Sequence, residues 1–154
     1  MALQSPTTPF TRDEAPALLW DVFCRVVDNL GDIGVCWRLC ADLARRGQRV
    51  RLWIDLPDDL RWMAPGAIEG NVPGITVLHW TTPLAEGLAE LPPSDVWIEA
   101  FGCDPAPECM DALARRLAAG AVPPVWLNLE YMSAEAYVER CHRLPSPVMS
   151  GPLK

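Results

Sequence analysis

The chain has 154 residues, about one domain with room for a sizeable core, and half of them are hydrophobic against 21 % charged, as in ordinary soluble globular proteins. A net charge of −7 and a pI near 4.7 argue against a nucleic-acid surface, which would need a basic stripe, and suit a basic partner or a cationic substrate better. With no run of about 18 apolar residues, a membrane-spanning helix is excluded as well.

Residues 1–17 (MALQSPTTPFTRDEAPA) carry three prolines and no apolar run, so they read as a disordered extension rather than a secretory signal. Leu18–Val27 (LLWDVFCRVV) reads as a largely buried strand. A helix is expected over Ile33–Arg46, with Ile33, Cys36, Trp37, Cys40, Leu43 and Ala44 at helical spacing and Gly47 as its stop. Arg49–Asp55 alternates polar and apolar residues as a second strand, and Asp58–Met63 reads as a short helix. Strands follow at Ile75–Trp80 and Asp95–Phe101, then an amphipathic helix at Pro107–Ala119 stopped by Gly120. Val125–Leu129 is a fifth strand, and a last helix is expected over Ser133–Arg140, with Ser133 as its cap. The proline-rich end, residues 144–154, reads as a linker.

Strands alternating with helices predict an α/β fold: a Rossmann-like, mostly parallel sheet with flanking helices, over residues 18–143. In such sheets function sits in the loops at the carboxyl ends of the strands, here Asp28–Gly34, Asp55–Asp58, Gly102–Pro107 and Glu130–Ser133. The six cysteines form no CxxC pair, and several lie in apolar runs; with no secretory signal, they are expected to be reduced and buried in a cytoplasmic protein, with no metal site.

The loop VVDNLGDIG (Val26–Gly34) has the outline of a nucleotide-binding turn, yet it lacks the GxGxxG spacing and the lysine of a P-loop. Asp28 and Asp32 would repel a phosphate; they suit a cation, a sugar hydroxyl or a nucleophile that must lose a proton. The plainer reading of the same residues is local: Asp32 as a helix N-cap, Asp28 and Asn29 as turn formers. Glu130 and Tyr131 are cleft candidates at another strand end, or else belong to a turn leading into a helix. Glu99, inside a strand, needs a partner in either a site or a structural role. Most of the tryptophans belong in the core, with Trp62 as the candidate exception.

The stretches WDVFCRVVDNLGDIGVCWRLCADLA (Trp20–Ala44), RLWIDLPDDLRWM (Arg51–Met63), DVWIEAFGC (Asp95–Cys103) and VWLNLEYMSAEAYVERCHRLPSP (Val125–Pro147) resemble the bacterial protein-arginine rhamnosyltransferases that modify translation elongation factor P. The resemblance implies half of a two-domain glycosyltransferase B (GT-B) architecture, in which two Rossmann-like domains face a cleft. It implies transfer of L-rhamnose from dTDP-β-L-rhamnose to one arginine of elongation factor P, with inversion and without a metal or other cofactor. The first domain mainly receives the protein acceptor and the second holds most of the nucleotide. Carried over onto this chain, Asp32 becomes the candidate general base and Asp28 the residue that orients the guanidinium or supports the loop. Asn29 and Gly31 complete the loop as candidate substrate-binding residues, with Glu130 and Tyr131 beside them. The family continues into a second domain beyond the position of Lys154, so residues 1–154 alone are expected to have little or no transferase activity. An alternative is a non-catalytic acidic module that docks elongation factor P or another basic protein.

Overall fold

The computed structural model describes residues 16–27, 30–80, 88 and 90–146. In chain order these form β1 (Leu19–Cys24), α1 (Gly31–Arg45), β2 (Arg49–Ile54), a 3-10 turn (Pro57–Asp59) leading into α2 (Leu60–Met63), β3 (Ile75–His79), β4 (Val96–Ala100), α3 (Pro107–Ala118), β5 (Val125–Leu129) and α4 (Tyr137–Cys141). The strands lie in the order β3-β2-β1-β4-β5, and every neighbouring pair is parallel. This is the α/β, Rossmann-like sheet expected from the alternation of elements. The proposed extension and linker fall mostly outside the described residues.

β1 is central, and its alternation sorts two different cores. Val22 and Cys24 face α1, joining Ile33, Cys36, Cys40 and Leu43 with Leu52, Ile54 and Ile98 in an aliphatic and thiol-rich layer. In register, Val22 lies between Leu52 and Ile98, so side chains of equal depth meet across three strands. Each such fully buried aliphatic side chain is worth about 1.5–3 kcal/mol. On the opposite face Phe23 stacks on Trp53 at 5.9 Å and meets Trp97 edge-on at 4.9 Å, and Cys109, Ala112 and Leu113 of α3 cover this aromatic layer.

The aromatic face also holds an ion pair. Asp21 accepts both Arg51 Nε and Nη2 at 2.6 Å and Trp53 Nε1 at 2.7 Å, with Asp21 and Arg51 only 3 % and 6 % exposed. Arg51 Nη1 donates to the Pro92 carbonyl at 2.9 Å. All three guanidinium nitrogens of Arg51 and both carboxylate oxygens of Asp21 are hydrogen-bonded, the condition under which a buried pair is tolerated.

Both long helices end as expected. Gly47 (φ 80°) and Gly120 (φ 88°) take the left-handed conformation, and the amides of Gln48 and Ala121 bond back to Leu43 and Arg116. The last predicted helix is corrected: α4 spans only Tyr137–Cys141, because the Ser133 hydroxyl accepts the Glu135 amide at 3.1 Å in a two-residue turn instead of capping a helix. Among the described residues no helix is long and apolar enough to cross a membrane.

Candidate functional site

The strand order reverses between β1 and β4, so the chain leaves these neighbours in opposite directions and opens a crevice at their carboxyl ends. β1 stops at Cys24, three residues short of the predicted Val27, because the chain turns to give its amides to two carboxylates. Val26 N–H donates to Asp55 Oδ1 at 2.9 Å, and Val27 N–H to Asp32 Oδ2 at 3.0 Å. Asp55, at the end of β2, has its carbonyl 2.6 Å from His79 Nε2. The loop that follows is thus pinned at its root by acids from two other segments.

Asp32 is not the helix cap. The N-cap position is Leu30, without a side-chain cap, and Asp32 lies inside the first turn of α1. There the helix dipole favours its negative charge. It is 1 % exposed. Its second oxygen, Oδ1, accepts the Tyr131 hydroxyl at 2.7 Å across 99 residues of sequence. Tyr131 in turn stacks on Phe101, ring centres 4.2 Å apart and planes 13° apart. Phe101 follows β4 in the left-handed region (φ 56°) and donates its amide to the Leu129 carbonyl at 2.7 Å. Loops after β1, β4 and β5 therefore meet around one carboxylate.

Of the residues singled out from sequence, Asp32 and Tyr131 are brought into direct contact. Gly31 opens α1 beside them, and Glu130 stands exposed at the end of β5. Asp28 and Asn29 lie outside the described residues. Glu99 is half-buried near the end of β4; burial pushes its carboxyl above the ordinary range, and the negative charges of Asp104 and Glu130 add to that. Trp62 is 64 % exposed on α2, unlike Trp53, Trp80 and Trp97 in the core. Phe101 was not foreseen as a site residue, and Asp55 only as the first residue of a carboxyl-end loop. Both stand at strand ends, Phe101 just before Gly102, which is the only signal in the sequence that could have marked them.

Five of the six thiols keep to the core as expected, and Cys141 does not. Cys24, Cys36, Cys40, Cys103 and Cys109 are buried and unpaired by disulfides, and Cys141 is exposed. Burial pushes Cys103 and Cys109 up to about 12. Cys24 is raised further, first by its hydrogen bond with Cys36 and then by burial. Among the described residues no group of three or more His, Cys, Asp or Glu side chains is placed to hold a metal ion.

A carboxylate held by two donors at the mouth of a parallel sheet can orient a cationic ligand, support developing positive charge, or accept a proton once a donor gives way. The comparisons with known proteins agree in direction. The family model described as elongation-factor P (EF-P) rhamnosyltransferase EarP matches residues 20–154. Protein-arginine rhamnosyltransferases from Pseudomonas putida, Shewanella oneidensis and Neisseria meningitidis are 46 %, 44 % and 40 % identical to the chain. Each match covers 86 % of this chain, and 34 %, 34 % and 33 % of those relatives respectively. The chain thus spans about a third of the length of the curated relatives it matches. It belongs to the EarP family of elongation-factor P rhamnosyltransferases.

Proposed function

We propose that residues 18–143 are the acceptor-side domain of an inverting, GT-B-type glycosyltransferase that moves L-rhamnose from dTDP-β-L-rhamnose to an arginine of elongation factor P. In this reading Asp32 is the general base and Asp28 orients the guanidinium, with Asn29, Gly31, Glu130 and Tyr131 lining the acceptor side. The nucleotide is held mainly by the part of the longer relatives that lies beyond this chain, and neither a metal nor another cofactor takes part. The work is cytoplasmic, where its acceptor is. Residues 1–154 alone transfer little or no sugar.

The chemistry calls for such an acid. An arginine guanidinium has a pKa above about 12 and a delocalised lone pair, so it attacks poorly. A carboxylate at hydrogen-bond distance localises that density and takes the proton as the new bond forms. The guanidinium nitrogen attacks the anomeric carbon, the bond to the nucleotide oxygen breaks with its electron pair, and the configuration inverts. The observation that carries the reading is the placing of Asp32: buried, fixed by Val27 and Tyr131, at the switch point of the sheet.

One observation favours a non-catalytic role for Asp32. Both Asp32 oxygens already accept hydrogen bonds, as they would if the acid served only to clamp the loop. The deciding experiment compares wild type with Asp32→Asn in a protein extended to the length of its relatives, scoring both sugar transfer to unmodified elongation factor P and binding of it. A catalytic base predicts transfer reduced about 10²–10⁴-fold with binding largely kept. Transfer at an unchanged rate by Asp32→Asn would remove Asp32 from the mechanism and leave it the role of a loop clamp.

A further inference from the structure

The aromatic pair at the rim of the site offers something that Asp32 alone does not. Tyr131 is 58 % exposed even though Phe101 lies against its ring and its hydroxyl is bonded to Asp32. It thus presents exposed aromatic surface beside the acid to which its hydroxyl is bonded. The hydroxyl lies in the plane of the ring, so the Asp32 bond ties the orientation of the ring to the acid. The stack with Phe101 then fixes the ring from behind, and Phe101 is itself held by its amide bond to Leu129.

Cations differ in how they use such a surface. A guanidinium is planar, delocalised and weakly hydrated, and it lies flat on an aromatic face with its N–H groups directed outward from the edge. An ammonium is a compact, strongly hydrated charge with no plane to match. A guanidinium resting on Tyr131 brings its edge N–H groups within reach of Asp32, where one of them can take over the oxygen now bonded to the hydroxyl. The exposed carboxylate of Glu130, next in the chain, adds attraction for either cation without distinguishing them.

We propose that Tyr131, backed by Phe101, is the specificity-determining residue of the site: a stacking platform that selects an arginine side chain over a lysine at Asp32. The proposal rests on the reading of this crevice as the acceptor site, and its test separates the two. Elongation factor P, with its loop-tip arginine intact or replaced by lysine, is titrated against the chain and its Tyr131→Leu, Tyr131→Phe, Phe101→Leu and Asp32→Asn variants. Near-ultraviolet circular dichroism checks that each variant is folded.

Wild type should bind the arginine form about tenfold more tightly than the lysine form, the scale of one cation–π contact. Tyr131→Leu should bring that ratio close to one, Tyr131→Phe should keep most of it, and Phe101→Leu should fall between. A ratio that survives in Tyr131→Leu, while Asp32→Asn weakens both forms, overturns the platform and leaves the acceptor site standing. A wild type that does not distinguish the two forms, whether it binds both or neither, also overturns the platform. Arginine binding that is indifferent to both Asp32→Asn and Tyr131→Leu removes the acceptor from this crevice altogether.

Discussion

The two flanks of the crevice are built differently. On the β1–β2 side almost every side chain of both strands is buried, an ion pair is sealed into the aromatic face, and the key acid is 1 % exposed. On the β5 side the strand is exposed along much of its length, with Val125 at 60 %, Leu127 at 45 % and Tyr131 at 58 %. The buried acid, Asp32, lies on the closed flank, and the exposed aromatic, Tyr131, lies on the open one. Among the described residues a hydrogen bond of 2.7 Å joins Tyr131 to Asp32, and an aromatic stack joins Tyr131 to Phe101. The closed flank should therefore open at a higher free energy than the open one, because regions with more buried apolar contact are locally more stable.

The sharpest way to break the contrast is at the buried ion pair. Arg51→Ala leaves Asp21 charged in the core with Trp53 as its one remaining side-chain donor, and should destabilise by about 3–5 kcal/mol, read as a lowered urea midpoint. A second comparison sets equal substitutions on the two flanks. Leu52→Ala, at a fully buried position on β2, should cost about 2–5 kcal/mol, whereas Leu127→Ala, on β5, should cost less than about 1 kcal/mol. Similar losses from both would show that the open flank is as tightly packed as the closed one.

The smallest effect is a slope with pH. Burial raises the Glu99 carboxyl above its ordinary 4.5, so the folded chain holds that proton where the unfolded chain has released it. Stability from this group is therefore fully present below pH 4.5 and declines as the pH rises through the folded value. Glu99→Gln should flatten the urea midpoint between pH 4.5 and 7 relative to wild type, and an unchanged slope would assign the pH dependence to other groups.

The fold was legible because its signals are local. Helical spacing from Ile33 to Ala44, glycine stops at Gly47 and Gly120, and β-branched or aromatic runs marked most elements within a residue or two. What escaped was set by long-range partners. Arg51 looked like the polar half of an alternating strand, and only the register of β1 with β2 shows that it meets Asp21 inside the core. Asp32 looked like a cap, since an acid just before an apolar helical pattern is the usual sign of one. The tertiary bonds to Val27 and Tyr131 gave it a different place. The end of β1 was misjudged for the same reason: nothing in Arg25-Val26-Val27 says that two of its amides belong to acids elsewhere.

Phe101 sets backbone strain against side-chain packing at a single residue. Its left-handed backbone costs a bulky L-residue about 1–2 kcal/mol that a glycine would not incur. A glycine there would relax the turn and, in the same step, strip the ring from behind Tyr131. The ring is also packed against the core, so its loss would cost more than the relaxed turn returns, and variants chosen for heat resistance should keep an aromatic residue at position 101.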